Sequence, residues 1–442
     1  MTPVDFIIAP IYFLALLLFA SYRQRKKVSE SPEYRWYSKG LLVKMLGAIS
    51  FAMVYQYYYG GGDTFGYFYG GKAYLAFIAA SPGHAWSFLW EAPHGKHYFE
   101  FLSYARPGYQ YIYKGSAELL ITKITAFVNL LSFNTYAGSS LLFAFFSYSG
   151  VWALYRTFTS IFKGIDKELA IAVLFLPSVF FWGSGILKDT LSLGALGWLV
   201  RGIWLLFIKR QSFFKALFII SLSSVLIVGV KPYIILAFIP AAMLWIGNQY
   251  RNLMPSKFLR VAMIPFFMLL IFFSGYRLIS GIGDELGKYS VNNLENAAEG
   301  FQSWHQVASK GGSGYTLGTD VDMSPAGMLR LFPKALSIAL FRPFPWEAGS
   351  VVIMASALEN FAILMLTLLV FFKTGPLRTL QKIWSHPFLF ACFIFSIIFG
   401  FAVGFTSYNF GALVRYKIPM MPFYVGMLMV LWANRNKEFQ WH

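Results

Sequence analysis

Long apolar runs recur through this chain, at about 4–22, 41–58, 137–156, 168–187, 190–208, 213–231, 234–248, 261–278, 351–372, 388–407 and 419–434. Repeated runs of this kind predict helices that cross a bilayer, because lipid offers no partner to an unsatisfied backbone group. Composition agrees: only 13% of the residues are charged and 57% are hydrophobic, whereas a soluble domain carries roughly 25% charged residues. The expectation is an all-α membrane protein of about 11 transmembrane helices (10–13), with residues 1–442 as one polytopic domain. The first run is followed by Arg23, Arg25, Lys26 and Lys27. A cleaved secretory signal carries its charges before the apolar core, so this segment reads as a retained helix.

The formal charge of +18 raises the question of nucleic acid, and its distribution answers it. The stretches 23–44, 156–167, 209–215, 251–260, 373–382 and 435–437 hold 21 of the 37 Lys and Arg. Cation-rich loops alternating with poorer ones are the positive-inside signature, and the rich loops are assigned to the cytoplasm. Eleven helices then put the N-terminus outside and the C-terminus in the cytoplasm. The charge reports topology, and nucleic acid is excluded as a partner. Cys392, the single cysteine, lies inside an apolar run and allows no disulfide framework. His94 and His97, with Glu91 and Glu100 nearby, have a weak metal-like spacing that also suits an ordinary polar loop.

Two outer loops are long. Residues 59–136 are rich in Tyr, Trp, His and Gly, with amphipathic pieces such as 72–80 and 84–90. Such aromatics favour the headgroup layer, which predicts interfacial helices. Ala117 to Phe133 is apolar, but counting it as a span would put Arg156, Lys163 and Lys167 outside. It is expected to lie in the outer interface or to enter the membrane partway. Residues 279–350 begin polar and return towards the membrane through Met323 to Trp346. Their length suggests a lid or cap.

Chemistry-bearing residues collect at the outer helix ends. Gly60-Gly61-Gly62-Asp63-Thr64-Phe65-Gly66-Tyr67 follows the second run, and its glycines allow a tight turn and close approach of a ligand around one carboxylate. An ordinary helix cap is the alternative reading of Asp63. Lys188-Asp189 follows Trp182-Gly183-Ser184-Gly185 and enters the next run almost without a loop. Lys188 could meet a phosphate as a point charge, or pair with Asp189 to close a hairpin. Arg106, Lys231 and Arg277 stand at similar positions, with Lys231 read as an interfacial anchor. Arg342-Pro343-Phe344-Pro345-Trp346-Glu347 holds a cation, an indole and a carboxylate on a proline-stiffened backbone. Arg415 and Lys417 precede the last run, where an arginine suits a bidentate grip on phosphate. One acid among several cations fits a phosphate-linked lipid substrate, with the acid as general base and the cations on the leaving phosphate.

Gly62-Asp63-Thr64 with Tyr67, and the closing Arg415-Tyr416-Lys417-Ile418-Pro419-Met420-Met421-Pro422, give the chain a family likeness. It resembles the GT-C superfamily of integral membrane glycosyltransferases, in which an early outer loop bears a catalytic Asp. Many bacterial members close on an Arg-Tyr-Arg-x-Pro-x-x-Pro stretch. The likeness covers most of the chain as architecture, with loop 59–136 as the first external loop. It implies transfer of a sugar from a polyprenyl-phosphate or -diphosphate donor to a glycan, lipid or protein acceptor, in the inner (cytoplasmic) membrane, on the periplasmic or exterior face. Asp63 would be catalytic, and Tyr67, Lys188, Asp189, Arg342, Glu347, Arg415 and Lys417 substrate-binding. An extra helix precedes the one leading to Asp63, and the adjacent second acid of many members is missing. These departures leave metal dependence open, with a divalent metal possible. The alternatives are a polymerase of lipid-linked repeat units and a lipid-linked oligosaccharide flippase or transporter. A transporter would be expected to show repeats and polar residues at the bilayer midplane.

Overall fold

Proline, glycine and the apolar runs divide the chain into helices joined by short turns, and no strand occurs among the described residues of the computed structural model, 1–250, 325–407 and 409–435. Eight of these helices are long and apolar enough to cross a membrane. They fall on eight of the eleven expected runs. Run 234–248 is part of a shorter apolar helix, and run 261–278 lies outside the described residues, as does Arg277. Run 168–187 differs from expectation: it is two short helices, Asp166–Val173 and Pro177–Phe181, followed by a turn. Pro177 has no N–H to give the preceding turn, and Gly183 and Gly185 favour the loop that follows.

The described chain forms two compact units. The first comprises Met1–Phe175, Val179–Leu206 and Gln211–Pro232. Its helices are α1 (Asp5–Lys27), α2 (Tyr37–Met53, extended by a π-helical turn, Val54–Tyr58), α3 (Asp63–Ala80), α4 (Pro82–Leu89), α5 (Tyr98–Tyr104), α6 (Ser116–Leu131), α7 (Tyr136–Ile161) and α8 (Asp166–Val173). After α9 (Pro177–Phe181), whose first two residues cluster with the second unit, come α10 (Lys188–Ile203) and α11 (Phe213–Val230). The central helix is α7, 78% buried along its span, whereas α1 is only 17% buried and presents Phe6, Ile7, Ile11, Leu14 and Leu18 outward. Small residues bring the central helices together, the usual device where lipid gives no hydrophobic drive between helices. A Cβ at Gly150 would lie 1.8 Å from the Gly194 carbonyl oxygen, and one at Gly47 would lie 1.9 Å from that of Phe180.

Polar contacts mark two ends of this unit. At the basic end Arg35 pairs with Asp166 at 2.5 Å, Arg156 with Glu33 at 3.4 Å, and Arg201 donates to the Arg156 carbonyl. At the other end the Asp5 carboxylate accepts the Ala137 N–H at the start of α7, and Thr64 bonds Tyr136 at 3.0 Å. The expected interfacial helices of loop 59–136 are α3 to α6. Along α6, Phe127, Leu130 and Leu131 are exposed, and Tyr12 of α1 donates to the Leu131 carbonyl. The exposed apolar face of α6 thus continues that of α1.

The second unit holds Leu176–Ser178, Phe207–Arg210 and the described part of Tyr233–His442. Its helices are α12 (Pro232–Tyr250), α13 (Pro325–Phe341), α14 (Val351–Thr374), α15 (Pro376–Ser385), α16 (Pro387–Thr406), α17 (Phe410–Tyr416) and α18 (Met421–Ala433). Most of the expected cap, 279–350, lies outside the described residues. In its second half α13 is a packed helix, with a Cβ at Gly404 of α16 falling 2.0 Å from the Ala335 carbonyl oxygen.

Candidate functional site

In the first unit the site grows from the far end of α2. The π-helical turn Val54–Tyr58 widens the helix just before Gly60 and Gly62, whose φ values of 66° and 120° favour glycine. Asp63 then opens α3, half-exposed in its first turn, where the helix macrodipole favours a carboxylate. Two residue pairs pin α3 from outside: Tyr113 donates to the Gly66 carbonyl at 2.8 Å, and Asn129 donates to that of Phe68 at 3.0 Å. Tyr67 lies one turn beyond Asp63 and is 2% exposed. That placement suits orienting Asp63 better than presenting a ring to a sugar.

An aromatic shell surrounds the turn. Tyr55 lies 3.0 Å from where a Gly62 Cβ would be, and the Tyr109 hydroxyl lies 3.6 Å from that position at Gly61. Tyr109 packs on Tyr69, and the exposed guanidinium of Arg106 covers the Tyr69 ring at 4.4 Å. Burial, reinforced by Tyr69, raises the Tyr109 phenol above its ordinary range, against the pull of Arg106. Tyr55 stacks on Phe51 at 4.4 Å, and a Cβ at Gly185 would come within 2.1 Å of the other side of Phe51. The Asp63 turn and the Trp182–Gly185 turn therefore share one aromatic pair.

Beyond Gly185, α10 starts with the two charges singled out from the sequence, and neither pairs with the other. Lys188 bonds Glu118 of α6 at 2.5 Å, with 16% and 21% of the side chains exposed. Asp189, fully buried, bonds Lys231, which is 5% exposed. Lys231 is thus not the interfacial anchor expected, and the Lys188–Asp189 hairpin pair gives way to two longer-range pairs. The reason is helical geometry: neighbours along a helix diverge by about 100°, so each reaches a different element.

The histidine-bearing loop resolves into local pairs. His97 bonds Glu91 at 2.7 Å, and His84 bonds Glu100 at 2.8 Å. Burial works to raise the Glu91 carboxyl, but the backbone and ring bonds from His97 and the Lys123 charge hold it below the usual range. Lys123 donates to the carbonyls of Leu89 and Glu91, and burial lowers its pKa to about 8 against the pull of Glu91. Among the described residues no group of three or more His, Cys, Asp or Glu could hold a metal ion.

The second unit carries the remaining expected residues. Arg342 and Glu347 form a two-pronged ion pair with each other, one prong 3.1 Å long, and Glu347 also accepts the Phe344 N–H at 2.8 Å. Those bonds hold the Glu347 carboxyl below its usual range despite burial. This is a clamp within the Pro343–Pro345 corner. Lys417, expected as a phosphate ligand, is held by the protein itself. It is 1% exposed, and its ammonium donates to the Ala339 carbonyl at 2.9 Å, the Arg342 carbonyl at 3.2 Å and Asn360 Oδ1 at 2.8 Å. Three protons meet three protein acceptors. Arg415, half-exposed at the end of α17, lies over the Tyr416 ring at 5.7 Å. Glu359 went unread in the sequence: it is buried in α14 and accepts the Ser178 N–H and hydroxyl, each at 2.7 Å. Its signal was a Glu-Asn pair in the middle of an apolar run.

No family model matches the chain, and no curated protein or solved structure resembles it closely enough to lend it a function.

Proposed function

We propose that the protein is a membrane glycosyltransferase of the GT-C kind, moving a sugar from a polyprenyl-phosphate or -diphosphate donor to an acceptor hydroxyl on the extracytoplasmic face of the cytoplasmic membrane. The observation that carries this reading is Asp63: a half-exposed carboxylate on a helix start, behind a turn in which Gly60 and Gly62 hold positive φ. In the reaction Asp63 takes the proton of the acceptor hydroxyl as its oxygen bonds to the anomeric carbon. The bond from that carbon to the phosphate oxygen breaks, and the carrier phosphate leaves with the electron pair. Tyr67 orients Asp63. Arg106, exposed over the Tyr69 ring beside the Asp63 turn, is a cation suited to the departing phosphate, since an arginine fork matches phosphate geometry. Lys188 joins it only if Glu118 releases it. Asp189 acts by holding α10 through Lys231, while Arg342, Glu347, Arg415 and Lys417 belong to the second unit and take no part in this step.

The test is purified Asp63→Asn, assayed with a panel of radiolabelled polyprenyl-phosphate and polyprenyl-diphosphate sugars. The variant should elute as the parent does and still bind donor, while transfer falls about 10²–10⁴-fold, the usual contribution of a general base. Undiminished transfer would remove Asp63 from the chemistry. Donor translocation without transfer would favour the flippase alternative.

A further inference from the structure

The second unit contains an apolar cavity of about 200 Å³, bordered by α13, α14, α15, α16 and α18. Leu340, Phe371, Ile383, Ile397, Met427 and Leu431 line it. Short α15 closes one side, and its sequence shows how. At about 100° per residue, Thr379 and Ile383 share one face, Leu377, Leu380 and Trp384 the next, and Arg378, Gln381 and Ser385 the third. The first face is buried and lines the cavity. The second is exposed, at 83%, 46% and 69%, and the third is polar. Such a helix lies in the membrane surface, with lipid on one side and the cavity on the other. Lys382 fixes it there by donating to the Asn434 and Arg435 carbonyls at the end of α18.

We propose that this cavity takes one acyl chain of an anionic phospholipid, whose phosphate rests at the basic end carrying Lys373 and Arg378. An apolar cavity near 150 Å³ already accepts a benzene-sized guest, so this one accommodates a short run of chain carbons. Half-exposed Leu336, Phe371, Phe393 and Ile397 give it a mouth towards lipid. Lys373 and Arg378 are exposed, and the positive-inside pattern puts this end against the leaflet where anionic lipids concentrate. The site is independent of the glycosyltransferase reading, because neither its lining residues nor Lys373 and Arg378 take part in the proposed transfer step.

The experiment reconstitutes the full chain in phosphatidylcholine vesicles containing phosphatidylglycerol with a diazirine midway along one acyl chain. A matched diazirine phosphatidylcholine serves as the second arm. Photolabel should concentrate on peptides containing Leu336, Ile397 and Met427, several-fold above lipid-facing Leu358 and Leu368. Ser396→Leu, which fills the cavity, should lower that labelling about tenfold without changing labelling elsewhere. Lys373→Gln with Arg378→Gln should abolish the preference for phosphatidylglycerol while leaving chain labelling by phosphatidylcholine. Equal labelling by the two probes in the parent protein, or label spread evenly over the lipid-facing surface, overturns the proposal. So does displacement of the probe by sub-stoichiometric polyprenyl phosphate, which would give the cavity to a substrate chain.

Discussion

The Asp189–Lys231 pair offers the sharpest test of how the first unit is held together. Asp189 is fully buried and Lys231 is 5% exposed, so neither charge has water to fall back on. Removing one partner of such a pair costs about 3–5 kcal/mol, while replacing both with apolar residues of similar size is near neutral or stabilising. Lys231→Met leaves Asp189 in the first turn of α10, and Asp189→Asn leaves the Lys231 ammonium at the C-cap of α11, so in each case a helix dipole returns about 0.3–2 kcal/mol. The two single substitutions should therefore cost similar amounts, with both far above Asp189→Leu/Lys231→Met. The more exposed Lys188–Glu118 pair should yield about 1 kcal/mol in the same cycle. SDS-titrated unfolding, followed by far-ultraviolet circular dichroism, supplies the four free energies. A coupling below about 1 kcal/mol for Asp189–Lys231, or a double variant as unstable as the sum of the singles, would refute the argument.

Other substitutions address packing, pH and the second unit. Gly150→Ala should cost at least about 1–3 kcal/mol and lower the yield of folded protein, since its Cβ would fall 1.8 Å from the Gly194 oxygen; Gly83→Ala, with nothing within 4 Å, should be silent in the same thermal-shift assay. Lys417→Met strips donors from three acceptors and should destabilise by about 3–5 kcal/mol, whereas a pure phosphate ligand would raise KM and leave stability unchanged. Glu91 has a lowered pKa, so its contribution is fully present above the ordinary carboxylate value of 4.5 and is lost as pH falls through its folded value below that. Hydrogen exchange in 91–97 should stay slow down to about pH 4.5 and accelerate below it. Loosening already at neutral pH would refute the assignment to Glu91.

The membrane character was legible because it rests on length and polarity alone. A run such as 351–372 has no other low-energy fate in lipid, and α14 spans it. Breaks were harder. Run 168–187 scores as one segment by hydropathy, yet Pro177 and two glycines split it, and averaging over a window hides single residues. Helix 116–131 was assigned to the interface from charge topology, which says nothing of its packing; its Lys123 and Asn129 donate to loop and α3 carbonyls.

The site was legible in its residue types and illegible in its pairings. A lysine at membrane depth needs a counter-charge or a set of carbonyls, but sequence does not reveal which one it finds. Lys188 and Lys417 looked alike, each a cation near a turn between apolar runs. The first meets a carboxylate 70 residues away and keeps some exposure, while the second is saturated by two carbonyls and an amide. Arg106, by contrast, sits in a polar loop where a charge calls for no explanation, and only its place over Tyr69 connects it to the Asp63 turn. The residue that could be ranked in advance was Asp63, because its argument was local. Gly60 and Gly62 fix the backbone, the helix start favours the carboxylate, and both follow from a few consecutive residues. Whatever depends on partners 40 to 180 residues apart, such as Asp189 with Lys231 or Ser178 with Glu359, is decided by packing and becomes readable only when the helices are assembled.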